Sequence, residues 1–168
     1  LAAGGPPPDS TRELSATSWA FDERRPGQRL IFAAPTLNDC MRILLTNDDG
    51  IDAVGLRALY DRLSEFADVT AVAPADDQSA VGRQLSNSVE MDEHELGYAV
   101  DGTPGDCVVA ALGSLGLEPD FVVSGCNEGA NLGAYVLGRS GTVSAAVEAA
   151  FFDVPAIAVS AYFPAVEF

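Results

Sequence analysis

The stretch MRILLTNDDG, residues 41–50, is the part of the chain that decides its fold. The apolar and β-branched residues at 43–46 predict a short buried strand. The polar residues Asn47, Asp48, Asp49 and Gly50 that follow predict a tight turn at the end of this strand. A buried strand that runs into an acidic turn predicts a sheet with polar chemistry at one edge.

Downstream of this strand, apolar segments with helical spacing alternate with short strand-like segments. The spacing predicts a helix over Val54–Phe66, followed by a buried strand at Val69–Ala73 that ends at Pro74. The other predicted elements are a small strand at 98–100, a helix after Pro104, a strand at 121–123, a helix from 140–142 and a strand at 156–159. This alternation predicts an α/β fold with a doubly wound, mostly parallel sheet and right-handed crossovers.

The charge of the chain excludes several classes of partner. The 168 residues carry a net charge of −16, and all nine basic residues are Arg. Such a surface repels phosphate backbones and anionic lipids, so we expect no nucleic-acid polymer and no membrane as a partner. An acid excess without Lys favours a halophilic protein from a salt-rich cytoplasm. An ordinary acidic protein from a GC-rich genome is the alternative.

The composition changes at Met41. Residues 1–40 have a net charge of −1, whereas residues 41–168 have a net charge of −15. The first segment is rich in Gly and Pro and has little periodicity, so we interpret it as a disordered leader or as an upstream extension from a misassigned start. Three cysteines without CxxC spacing predict reduced thiols in a cytoplasmic protein.

Three polar segments follow predicted strands at the edge where α/β sheets bind ligands. They are Asn47–Gly50, Asp76–Ser79 and Ser124–Asn131, and we expect them to converge on one site. The adjacent carboxylates of Asp48 and Asp49 repel each other unless a cation or a proton lies between them or water solvates them well. A hard divalent ion such as Mg²⁺ or Mn²⁺ would remove that conflict. A turn whose carboxylates only cap the next helix is the alternative.

Two further segments suit an anion. The glycines of 124–133 allow close backbone approach, and Asn127 and Asn131 offer amide groups. The segment Arg139–Thr142 opens a helix, whose free N–H groups and dipole favour phosphate, with the Ser140 and Thr142 hydroxyls available, although a simple Ser/Thr cap is the alternative. His94 lies in an acidic run that we interpret as a solvated charged segment, so no catalytic histidine is predicted.

Taken together, these segments resemble the SurE-like (survival protein E) 5′-nucleotidases. The matching motifs are ILLTNDDGI at 43–51, VAPADDQS at 72–79, GTPGDCV at 102–108, SGCNEGANLG at 124–133 and SGTV at 140–143. Their order along residues 41–160 makes the resemblance specific. It implies a three-layer, Rossmann-like sandwich.

The resemblance also implies a function. Members hydrolyse nucleoside 5′- and 3′-monophosphates with one divalent cation, Mg²⁺ or Mn²⁺, sometimes accept polyphosphate, and form homo-oligomers, either dimers or tetramers. The implied metal ligands are Asp48, Asp49, Ser79 and Asn127, with the two aspartates as catalytic residues. The implied phosphate-binding residues are Asn131, Ser140, Gly141 and Thr142.

One departure from the family affects the expected activity. The family continues well beyond the strand at 156–160, whereas this chain ends at Phe168, so residues 41–168 match only the N-terminal part of its domain. An inactive or nucleotide-binding remnant is therefore an alternative to an active phosphatase. A receiver-type signalling domain is disfavoured because its phospho-accepting Asp is replaced here by Ser124–Asn127.

Overall fold

The structure of the chain, a computed structural model, describes residues 40–162. The leader prediction for residues 1–40 therefore falls almost entirely outside the described residues. Within them the strands are β1 Met41–Thr46, β2 Ala67–Pro74, β3 Met91–His94, β4 Gly97–Val100, β5 Phe121–Glu128 and β6 Ala156–Ala161. The helices are α1 Val54–Leu63, α2 Pro104–Val109 with a π-helical turn at Ala110–Ser114, α3 Ala134–Leu137 and α4 Gly141–Phe151.

The six strands form one sheet in the order β3-β4-β2-β1-β5-β6. Every neighbouring pair is parallel except β3 and β4. The predicted α/β fold with a mostly parallel sheet is confirmed. Because β1 lies between β2 and β5, the turn after β1 is flanked by the segments that follow both of those strands.

Helices cover both faces of the sheet. Ile43 and Leu45 point to one face, where they pack in a buried cluster with Leu56 of α1. Leu44 points to the other face and packs in a second cluster with residues of α2 and α4, among them Val108 and Ala145. Successive side chains of β1 thus pack in two hydrophobic cores, one on each face of the sheet. The prediction of a three-layer fold is confirmed. Between residues 40 and 162, no helix combines the length and the apolar character needed to cross a bilayer.

Two elements differ from their sequence-based predictions. The sequence pattern predicts that Met91–His94 is part of a solvated charged segment. In the structure these residues form an edge strand that pairs with β4, and Asp92 and Glu93 remain exposed on it. An edge strand tolerates such charges because one side of it faces water. The strand predicted at 121–123 continues to Glu128, past a register shift between Ser124 and Asn127, because β6 supplies backbone partners that no local pattern reveals.

A buried carboxylate ties the long connection after β2 to the start of α2. Asp106 accepts hydrogen bonds from the Ser86 backbone N–H and hydroxyl, both at 2.8 Å, and from the Thr103 N–H at 2.9 Å. The Thr103 hydroxyl donates to the Gln84 carbonyl at 2.7 Å. Burial alone would raise the pKa of Asp106, but these donors together outweigh burial and lower it.

Asp106→Asn is expected to lower the free energy of unfolding by about 1–3 kcal/mol near neutral pH, because the amide NH₂ group faces donors instead of accepting from them. A carboxyl with a depressed folded-state pKa stabilises the protein above its unfolded pKa, about 3.9, and that stabilisation is lost as the pH falls. The difference between parent and variant should therefore shrink in acid. Denaturant unfolding of both proteins at neutral and acidic pH measures it, and a pH-independent difference would contradict the assignment.

Candidate functional site

A cleft of about 240 Å³ opens where β1, β2 and β5 end. It brings together residues from all three polar segments that the sequence predicted to converge. Asp48, Ser79, Asn127, Asn131 and Ser140 line it, together with Ala80, Glu128, Gly129, Ala130, Val136 and Arg139. Of the other predicted site residues, Asp49, Gly141 and Thr142 lie beside the cleft and contact residues that line it.

The turn after β1 directs the two aspartates to different partners. Asn47 is buried, and its side chain donates to the Gly50 carbonyl at 2.8 Å and accepts from the Gly50 N–H at 3.2 Å. Gly50 has φ of 103°, a conformation that side-chain-bearing residues rarely adopt. The closed turn therefore holds Asp48 and Asp49 in fixed and separate directions.

Asp48 is buried and anchored from the start of α4. Its Oδ1 accepts a hydrogen bond from the Thr142 hydroxyl at 2.7 Å. Its backbone carbonyl accepts from the Gln78 N–H at 2.7 Å, which ties the segment carrying Ser79 to the same residue. Two contacts from distant parts of the chain thus fix Asp48 at the cleft.

Gly141 leaves the space that Asp48 occupies. A Cβ atom at this position would lie 2.6 Å from the Asp48 Cβ and 2.9 Å from its Oδ2. Both distances are well below van der Waals contact, so any side chain here would displace the carboxylate or the helix. The requirement for glycine at the first position of α4 is therefore steric.

Gly141→Ala is expected to destabilise the fold by about 1–3 kcal/mol through overpacking and to weaken divalent-cation binding by displacing Asp48. Gly113→Ala is the matched control, because a Cβ at Gly113 meets no atom within 4 Å. Thermal unfolding and a Mg²⁺ titration of both variants measure the two effects. Equal behaviour of the two variants would show that the Asp48 carboxylate tolerates the added methyl group.

Asp49 lies in a partly desolvated position on the other side of the turn. Its Oδ2 accepts a hydrogen bond from the Glu128 N–H at 3.3 Å. Burial, and then the neighbouring charge of Asp48, raise the pKa of Asp49 above its usual range. The folded chain therefore disfavours a negative charge here, and a bound cation would offset that cost.

The donor set fits a hard cation that takes oxygen ligands. The described residues contain no cluster of three or more His, Cys, Asp or Glu side chains suited to a metal, so neutral oxygens must complete any site. Asn127 donates through Nδ2 to the Gly129 carbonyl at 2.8 Å, which leaves its Oδ1 as the ligating atom. The Ser79 hydroxyl donates to Asp77 at 2.6 Å, which leaves oxygen lone pairs for a cation. Asp48, Asp49, Ser79 and Asn127 would hold the ion.

The residues predicted to bind phosphate lie in the cleft or directly beside it. Asn131 donates through Nδ2 to the Thr142 hydroxyl at 3.2 Å and to the Ser160 hydroxyl at 2.8 Å. Ser140 caps α4, because its hydroxyl accepts from the Val143 N–H at 3.1 Å. The cap geometry is compatible with an anion at the same helix end. The phosphate-binding roles stay predictions.

Sequence reasoning gave no role in the site to Arg139, Glu128 or Val136, although Arg139 and Glu128 lie in segments that were predicted to form it. Arg139 is the one cation among the residues that line the cleft. Its position directly before the Ser140 cap, in a chain with few basic residues, is the feature that could have singled it out. Val136 has no such feature, because its placement depends on α3.

A second cavity, of about 250 Å³, lies at the opposite end of the sheet and is lined by Arg42, Asp68, Glu118 and nearby residues. Its cation is already paired, since Arg42 Nη2 lies 3.3 Å from the Asp120 carboxylate. Ligands of parallel α/β sheets bind at the other edge. The cleft beside Asp48 is therefore the candidate site.

Comparisons with known proteins identify the family of this chain. The family model described as survival protein SurE matches residues 43–167. A protein of Natronomonas pharaonis, named 5′-nucleotidase SurE, is 81% identical over 125 residues, which cover 74% of this chain and 49% of that protein. A protein of the same name from Haloarcula marismortui is 74% identical, and the match covers 73% of this chain and 45% of that protein.

The comparison with solved structures also finds a SurE protein. The crystal structure of the SurE protein from Aquifex aeolicus matches with a TM-score of 0.68 and 40% sequence identity. The match covers 74% of this chain and 52% of that one. The chain thus spans about half the length of the relatives that it matches.

Proposed function

This chain belongs to the SurE family, and from that premise we propose that it is a metal-dependent phosphomonoesterase that releases phosphate from nucleoside 5′-monophosphates. Nucleoside 3′-monophosphates are a second proposed substrate class. One observation supports the proposal most directly. Two carboxylates, an amide oxygen and a hydroxyl from three separate segments meet around one cleft beside a helix N-terminus.

In this mechanism the protein residues position the reacting groups. A bound Mg²⁺ or Mn²⁺ ion would supply positive charge against the phosphoryl oxygens and would lower the pKa of a water molecule. Thr142 holds the Asp48 carboxylate at the cleft, and the Glu128 N–H holds Asp49 beside it. The free N–H groups at the start of α4 would stabilise a negatively charged group bound there. Phosphoryl transfer needs mainly such positioning and charge stabilisation.

We also propose the cellular compartment, the oligomeric state and the small-molecule partner of this chain. The free cysteines Cys40, Cys107 and Cys126 of the described part suit a reducing cytoplasm. Burial raises the pKa of the Cys107 thiol, which makes it a core side chain and not a nucleophile. We propose a dimer or tetramer of this chain as the oligomeric state, with nucleoside monophosphate as the small-molecule partner.

A phosphate-release assay tests the proposal. The chain is incubated with 5′-AMP, 3′-AMP and other nucleoside monophosphates in Mg²⁺, Mn²⁺ or EDTA, at low and at high KCl. We expect release that requires the divalent ion and that is lost in EDTA. Nucleotide binding without turnover under every condition would instead support an inactive nucleotide-binding remnant.

A further inference from the structure

One arginine of the described chain has no carboxylate partner. Residues 40–162 contain five arginines, and four of them form ion pairs: Arg42 with Asp120, Arg57 with Glu95, Arg62 with Glu65 and Arg83 with Glu148. Arg139 forms none with any described residue, although the chain carries 25 acidic residues. The one unpaired cation of this part of the chain lies on the wall of the candidate cleft.

The position of Arg139 is fixed by its neighbours. Its guanidinium lies over the ring of Tyr135, 3.8 Å from the centroid, and its Nη1 donates to the Tyr135 carbonyl at 3.1 Å. Its own carbonyl accepts from the Gly82 N–H at 3.0 Å, which ties it to the segment that carries Ser79. The stacked ring and the hydrogen bond from Nη1 orient the guanidinium without neutralising its charge, and the bond from Gly82 holds the backbone of Arg139.

The electrostatics of the cleft require such a cation. Asp48 and Glu128 line it, and Asp49 lies beside it. A phosphomonoester near neutral pH carries about −1.5 to −2 charge and is repelled by these carboxylates. A single divalent ion cannot neutralise both the aspartates and the phosphate. A guanidinium offers planar N–H donors that match phosphate oxygens, and such charge-assisted hydrogen bonds are among the stronger ones.

We propose that Arg139 binds the phosphate group of the substrate, with Tyr135 as the residue that positions its guanidinium. The inference rests on the proposed function, since it concerns the same cleft. Arg139 directly precedes the Ser140–Thr142 motif. The remaining donors of the guanidinium, those not bound to the Tyr135 carbonyl, would contact the phosphate oxygens.

Arg139→Gln tests the proposal, with Arg83→Gln as the matched control. Each variant removes one positive charge that lies over an aromatic ring, because the Arg83 guanidinium lies 5.2 Å from the centroid of Phe151. Arg83 differs in being paired with Glu148, at 3.7 Å, and in not lining the cleft. Inorganic phosphate is titrated calorimetrically into the parent and both variants, with Mg²⁺ and with EDTA, at one fixed KCl concentration.

Arg139→Gln is expected to weaken phosphate binding roughly tenfold or more, the effect of losing a charged hydrogen bond, whereas Arg83→Gln should change it less than about twofold. Tyr135→Phe should bind like the parent, and Tyr135→Ala should lose part of the affinity. Equal phosphate affinity of the parent and Arg139→Gln, or no phosphate binding by the parent, would overturn the proposal.

Two comparisons separate this inference from the proposed function. Where AMP is hydrolysed, Arg139→Gln should raise KM alike for AMP and for ribose 5-phosphate, because both carry the same phosphate. An effect on AMP alone would overturn the proposal in favour of a contact with the nucleobase. A parent chain that binds phosphate through Arg139 but releases none from AMP would contradict the proposed function and leave the Arg139 assignment standing.

Discussion

Asp49→Asn is expected to lower phosphate release from AMP by more than roughly a hundredfold, because a metal ion contributes several kcal/mol of transition-state charge stabilisation and needs anionic ligands. The turn itself should persist. An Asn side chain keeps an oxygen that can accept the Glu128 N–H, which is 3.3 Å away in the parent. Loss of activity without loss of fold would identify the carboxylate as the functional group.

Two measurements accompany this prediction. Mg²⁺ affinity, from a calorimetric titration without substrate, should fall in parallel with the rate. The midpoint of thermal unfolding in EDTA should be no lower for the variant than for the parent. Burial and the charge of Asp48 raise the pKa of Asp49, so the negative charge that the variant removes is unfavourable in the fold. Asp68→Asn is the control for net charge, because Asp68 is exposed at the opposite end of β2. An Asp49→Asn variant that works at the parent rate would refute the metal assignment.

The second large effect concerns salt. We expect the midpoint of thermal unfolding to rise steeply with KCl, because residues 41–168 carry a net charge of −15. Repulsion of this size should cost several kcal/mol at low ionic strength, a large share of the roughly 5–15 kcal/mol that stabilises a domain. The Debye length falls to about 3 Å near 1 M salt, so molar KCl removes most of the repulsion. The surface ion pairs lose little in return, because exposed pairs contribute little to stability.

Thermal unfolding from about 0.1 to 3 M KCl, with and without Mg²⁺, measures this effect across a range in which the Debye length falls from about 10 Å to about 3 Å or less. Mg²⁺ should stabilise most at low salt, where the repulsion between Asp48 and Asp49 is least screened. A midpoint that stays flat across the range would refute the halophilic interpretation.

Local patterns in the sequence predicted most of the fold. Residues 43–45 are apolar at consecutive positions, as a strand with helices on both faces must be, and β1 is one of the two central strands of the sheet, between β2 and β5. Helical spacing found α1, which ends at Leu63, three residues before the predicted Phe66. The strand β3 was missed because its charged residues are stabilised by pairing with β4, which a local pattern does not show.

The sequence by itself determined which chemical groups the chain offers and at which edge of the sheet they lie, because strand direction alone sends Asp48, Ser79 and Asn127 to the same edge. Only the tertiary structure decided how these groups are held. Thr142 donates to Asp48 across 94 residues of chain, Gly141 makes room for that carboxylate, and Arg139 is left without an acidic partner among residues 40–162. Such contacts depend on distances of a few ångströms between segments remote in sequence. Packing of the two cores sets those distances, and no local pattern encodes them.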